Sequence, residues 1–130
     1  MTPAETVDAF MAAINAMDLD SATALLSEDC EYDNVPMNKM FGRATIHERL
    51  SPMMDDCEAL EGITIRQAAT DHLVLNERMD RFKWPSGWLE MPCAGIFEVH
   101  DGLITLWRDY FDLPTYKNQM EALGIARRSS

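Results

Sequence analysis

Arg78 and Asp80 stand two residues apart in the run ERMDRF, residues 77–82. In an extended strand, positions two apart share a face. There the pair is either a solvated ornament of little energetic worth or a cation and a carboxylate taken inward for chemistry. The run LITLWRDYFDL, residues 103–113, raises a sharper question. A regular strand over it puts Leu103, Thr105, Trp107, Asp109 and Phe111 on one face. A carboxylate between two aromatics that want burial must be paired, hydrogen-bonded or shifted in pKa. In EYDNVP, residues 31–36, Tyr32 and Asn34 also share a face. A phenol and a carboxamide both donate and accept hydrogen bonds and together suit a bound water, although a core Tyr and a turn Asn are equally ordinary. Taken together, two carboxylates, one arginine and a Tyr/Asn pair would support acid-assisted addition of water. One carboxylate would act as base and the other, protonated, as acid.

Those side chains need long strands to carry them. GITIRQAAT, HLVLNERMDRFKW, WLEMPCAGIFEVH and GLITLWRDYFDL are rich in β-branched and aromatic residues, with PSG (85–87) and HDG (100–102) as turns. Along the second of these, Val74, Asn76, Arg78, Asp80 and Phe82 fall on one face; Leu73, Leu75, Glu77, Met79 and Arg81 fall on the other. Ahead of the strands, Thr2, Pro3 and Glu5 form a capping-box start for a helix whose apolar stripe is Val7, Phe10, Met11, Ile14 and Met17. DLDSATALLSED predicts a short second helix, CEYDNVP a short strand, and GRATIHERLSPMM a third helix broken or kinked at Pro52. DLPTYKNQMEALG predicts a closing helix. The expected architecture is α+β: a cone-shaped, curved antiparallel sheet with three N-terminal helices on its concave face. A pocket is expected between them. Residues 1–124 form one domain, and 125–130 are expected to be a frayed tail.

Bulk properties narrow the function. The chain has 130 residues and a net charge of −11, which argues against nucleic acid and anionic membrane surfaces as partners. No basic segment followed by an apolar run opens the sequence, so the cytoplasm is the expected location. Cys30, Cys57 and Cys93 are odd in number and widely spaced, and His47, His72 and His100 stand at no ligand spacing. Neither a disulfide framework nor a metal site is expected.

YDN (32–34), ERMD (77–80) and WRDYFDL (107–113) resemble the limonene-1,2-epoxide hydrolase family. That family shares its fold with nuclear transport factor 2, ketosteroid isomerase and scytalone dehydratase. The resemblance runs from the first helix to the closing DL and includes GR (42–43) entering the third helix. It implies that Asp109 is the general base, with Tyr32 and Asn34 as fellow holders of the water. It implies that Asp80 is the general acid that protonates the epoxide oxygen, and that Arg78 bridges the two carboxylates. Water would open the ring in one step to a vicinal diol, with no cofactor and no covalent intermediate. The DRFKWPSGW hairpin is slightly shorter than in the family, and Arg81 and Lys83 add charge there. The expected pocket lining is Met37, Phe82, Met91, Cys93, Trp107 and Phe111, and the expected substrate a small apolar epoxide of terpene, cyclic-alkene or sterol type.

The fold alone implies no activity. An isomerase, dehydratase or polyketide-cyclase-like reaction, or a binding module without catalysis, stands as the alternative. A homodimer is expected, with Glu77, Met79, Arg81, Arg108, Tyr110 and Asp112 as its mixed polar and apolar surface.

Overall fold

In the computed structural model, which describes residues 1–125, the capping box forms as its sequence dictates. Glu5 N donates to Thr2 Oγ1 at 3.1 Å and Thr2 N donates to Glu5 Oε1 at 2.8 Å, starting helix α1, Pro3–Asn15. The helix stops short of Met17, which takes a left-handed φ of 60°. Asp18 caps α2, Leu19–Thr23, by accepting from Ser21 N. This helix is shorter than its sequence predicts. From Leu26 the chain is already extended as β1, Leu26–Asn34, because pairing in the sheet outweighs the local helical preference of the intervening residues. An unpredicted strand β2, Asn38–Phe41, folds back on β1.

Helix α3, Arg43–Asp56, then carries the chain to the opposite edge of the sheet and runs through Pro52 without ending. Four long strands follow as a meander: β3, Ala59–Thr70; β4, Leu73–Trp84; β5, Gly87–His100; and β6, Leu103–Phe111. The β5–β6 turn uses Asp101 and Gly102 at φ 53° and 76°, the left-handed pair that a tight hairpin requires. Asp112 caps helix α4, Leu113–Ala122, by accepting from Thr115 N. It therefore belongs to a helix start and not to the sheet surface expected from its alternation.

The six strands form one curved sheet in the order β2-β1-β6-β5-β4-β3. Neighbours are antiparallel except β1 and β6, which are parallel, so the sheet is mixed where the sequence suggested a purely antiparallel one. The cause is the α3 crossover: the chain leaves one edge, enters the other, and meanders back until β6 docks beside β1. Pairing slips at Thr64/Arg66 and at Glu98/Val99, and such bulges bend the strands that carry them. The second slip flips the alternation of β6. Ile104 is buried as well as Trp107 and Asp109, so Leu103 and Thr105 do not share their face.

Helices α1 and α3 pack on the sheet, and the core runs from Val7, Phe10 and Ile46 to Val74, Phe97 and Ile104. Residues 126–130, the greater part of the expected tail, lie outside the described residues; Ile125 N donates to Met120 O. Among the described residues, no helix is long and apolar enough to cross a membrane.

Candidate active site

Cross-strand register decides what meets at the centre of the sheet. Asn76 on β4 lies opposite Gly95 on β5, Gly95 opposite Asp109 on β6, and Asp109 beside Asn34 on β1. Gly95 is the gap in that row. A Cβ there would stand 2.2 Å from Arg78 Nη1 and 2.6 Å from Asn76 Oδ1. The missing side chain leaves a lane through which the guanidinium of Arg78, itself 2% exposed, reaches from β4 across β5 to β6.

All three guanidinium nitrogens of Arg78 are engaged there. Its Nε donates to Asp80 Oδ1 at 3.0 Å and its Nη2 to Asp80 Oδ2 at 2.9 Å. The same Nη2 donates to Asp109 Oδ1 at 2.9 Å and to Cys93 Sγ at 3.2 Å, while Nη1 donates to Asn76 Oδ1 at 2.9 Å. The Phe97 ring lies under the cation at 5.9 Å. A bidentate contact to one carboxylate and a single contact to the other is a strong, directional arrangement for a buried guanidinium. Asp109 has a second donor, Trp107 Nε1, 3.0 Å from its Oδ2. Trp107 in turn stacks on Tyr32, with ring centroids 3.7 Å apart and planes 11° from parallel.

The electrostatics follow from burial. Desolvation pushes the Asp109 carboxyl above the usual carboxylate range; Arg78 and the Trp107 N–H pull it down, Asp80 pushes it further up, and the net direction is upward. Burial and the neighbouring Asp109 also hold the Tyr32 phenol well above its ordinary value, so it stays a neutral donor. Burial first, and Asp109 next, keep the Cys93 thiol protonated, which removes it as a nucleophile. Asp80, Cys93 and Asp109 offer atoms within 4.8 Å of one another, the spacing of a metal site. Arg78 Nη2 already lies against all three, so a guanidinium fills the place a cation would take.

Around this cluster lies a cavity of about 260 Å³. All eleven residues singled out in the sequence border it: Tyr32, Asn34, Met37, Arg78, Asp80, Phe82, Met91, Cys93, Trp107, Asp109 and Phe111. Its floor is polar and its walls are largely apolar. Asn34 and Asp109 sit side by side on parallel strands, with Tyr32 one pleat away. Asp80 keeps part of its carboxylate open to the cavity, 17% exposed against 7% for Asp109.

A family model described as the limonene-1,2-epoxide hydrolase catalytic domain matches residues 1–121. The chain belongs to that family. It is 34% identical over 110 residues to epoxide hydrolase EphG of Mycobacterium tuberculosis, covering 82% of this chain and 71% of the relative. A solved structure of a limonene-epoxide-hydrolase-like epoxide hydrolase from M. tuberculosis superposes with a TM-score of 0.81 at 32% identity, covering 91% of this chain and 88% of that one. A protein from Xanthomonas campestris pv. campestris described as a candidate polyketide cyclase superposes equally well, TM-score 0.81, at 25% identity over 90% of this chain and 95% of its own.

In this epoxide hydrolase family member, sequence reasoning missed much of the wall. Met11 and Ile14 from α1, Leu50 and Met53 from α3, Trp84 from β4 and Tyr116 from α4 also line the cavity. Met11 and Ile14 were visible as part of an apolar stripe, a pattern that does not separate core from pocket wall. Trp84 brings a buried Nε1–H with no acceptor among the described residues. The expected outer surface is also partly engaged within the chain. Arg81 pairs with Glu61 and Glu90, and Arg108 with Glu31 and Asp33.

Proposed function

We propose that this family member hydrolyses a small apolar epoxide to a vicinal diol in one general acid/base step. The observation that carries the proposal is one nitrogen, Arg78 Nη2, at 2.9 Å from both Asp80 and Asp109 at the floor of an apolar cavity. In the step, Asp109 takes a proton from a water held with Tyr32 and Asn34. The water oxygen attacks an epoxide carbon while Asp80 gives its proton to the departing oxygen. Negative charge thereby passes from Asp109 to Asp80, and Arg78 touches both carriers throughout. A charge that moves between two contacts of one fixed cation needs little reorganisation, as expected of a preorganised site.

The raised pKa of Asp109 supports its assignment as the base, since a higher pKa makes the carboxylate a better proton acceptor. The partly open Asp80 is the carboxyl that a substrate oxygen can approach. Terpene, cyclic-alkene or sterol-type epoxides fit the apolar walls, and methionines such as Met37, Met53 and Met91 adapt to varied shapes. Polyketide-cyclase-like chemistry keeps the same fold; the two-carboxylate bridge favours water addition over it. We also propose a homodimer built on the outer sheet face, where Ile63, Ile65, Leu75 and Tyr110 are exposed.

The test is turnover of an epoxide panel by the wild type, Asp80→Asn and Asp109→Asn, with folding checked by circular dichroism. Diol from the wild type, and a loss of at least about a thousandfold in each folded variant, is the expected result. A folded wild type that opens no epoxide, or either variant retaining activity, would sink the assignment.

A further inference from the structure

Behind Arg78, on the side away from the cavity, runs a chain of three further side chains. Arg78 Nη1 donates to Asn76 Oδ1 at 2.9 Å, Asn76 Nδ2 donates to Gln67 Oε1 at 3.1 Å, and Gln67 Nε2 donates to Asp8 Oδ1 at 3.0 Å. The chain spans β4, β3 and α1. Its direction is dictated from both ends. A guanidinium can only donate and an ionised carboxylate can only accept, so the two amides between them have one orientation that satisfies every link. Asn76 is 5% exposed and sits opposite Gly95, where no side chain could be accommodated without displacing it or Arg78.

We propose that Asn76, held by Gln67 and Asp8, is a positioning residue that keeps the Arg78 guanidinium in its bridging place between the two carboxylates. The role of the bridge rests on the hydrolase reading given above; the positioning itself does not. The physical need is plain from the contact geometry. Asp80 holds Arg78 by two bonds and Asp109 by one. Unopposed, a guanidinium settles onto its bidentate partner, and the single bond across to β6 weakens. Asn76 supplies the opposing hold on Nη1.

The consequence is read at Asp109. The groups facing it are Arg78 and Asp80 from β4, Cys93 from β5, Tyr32 from β1, and Trp107 on its own strand. Arg78 is the cation among them, so loosening it must let the Asp109 carboxyl titrate at higher pH.

The experiment is a carbon-13 NMR titration of the aspartate carboxyls in the wild type, Asn76→Leu and Gln67→Leu, with kcat and KM for 1,2-epoxycyclohexane measured beside it. Gln67 is partly exposed and tolerates substitution even where the Asn76 variant fails to fold. The expected result is an upward move of the Asp109 titration in both variants, larger at Asn76. For Asn76→Leu, kcat should fall about tenfold with KM unchanged, the size expected for one charge-assisted hydrogen bond. Asp109 titrating in Gln67→Leu as in the wild type would overturn the proposal. A wild type that opens no epoxide would instead defeat the hydrolase reading, and the titration would still decide the positioning.

Discussion

Replacing Gly95 by alanine tests the lane through which Arg78 reaches Asp109. The new Cβ would stand 2.2 Å from Arg78 Nη1, 2.6 Å from Asn76 Oδ1 and 3.1 Å from Phe97 Cε1, whereas ordinary contact begins at 3.4 Å. The guanidinium must retreat by about 1.2 Å to restore that distance. Hydrogen bonds tolerate about 0.5 Å of variation, so at least one of the 2.9 Å links from Arg78 must break. Damage to a buried ion pair of this kind costs about 3 kcal/mol of stability. A misplacement near 1 Å in a positioning group costs about a hundredfold in kcat. Urea unfolding with linear extrapolation measures the first quantity and epoxide turnover the second. Gly102→Ala is the control. Gly102 has a φ of 76°, and a Cβ added to it would meet nothing within 4 Å, so its alanine variant loses about 1 kcal/mol to backbone strain and keeps its activity. Stability within about 0.5 kcal/mol of wild type and undiminished kcat in Gly95→Ala would refute the reasoning.

Because burial raises the Asp109 carboxyl and the proposed base must be ionised, kcat/KM should fall as pH drops through a value above the ordinary aspartate range of about 3.9; a limb at or below that range contradicts the proposal that Asp109 is the base. Trp107→Phe keeps an aromatic ring against Tyr32 but removes the N–H donated to Asp109 Oδ2, so kcat should fall about tenfold and the acidic limb of the pH profile should move up. Native protein at neutral pH should resist iodoacetamide at all three cysteines until denaturant is added, since all are buried and burial raises Cys30 to about 12, Cys57 to about 11 and Cys93 further. Intact-mass analysis reads that outcome directly.

Much of the site was legible because period-two alternation survives along β4. Val74, Asn76 and Arg78 are all buried, and Leu75 and Glu77 exposed, as alternation requires. The short motif around Asp109 worked for the same reason: Trp107 and Asp109 obey the alternation within their half of β6. The upper half did not, because the bulge that flips Leu103 and Thr105 depends on how β6 pairs with β5, and a single strand's pattern does not contain its partner's register. The parallel docking of β1 on β6 was hidden likewise, since paired residues such as Asp33 and Arg108 stand 75 positions apart in the chain. Asn76 falls on the inward face by its spacing, yet its bond to Arg78 depends on the gap at Gly95, which becomes visible once three strands are aligned. Asp112 looked like a strand residue and proved to be a helix cap, because Pro114 favours a helix start at the strand's end.

Central to the proposed reaction is that water, not a carboxylate of the protein, attacks the epoxide carbon. A single turnover in oxygen-18 water, with enzyme in excess over 1,2-epoxycyclohexane, tests it most directly. One labelled oxygen in the diol of that first turnover, and no label in Asp80 or Asp109, is the predicted result. An unlabelled first diol, with the heavy oxygen recovered in either aspartate, would mean an ester intermediate and would contradict direct attack by water.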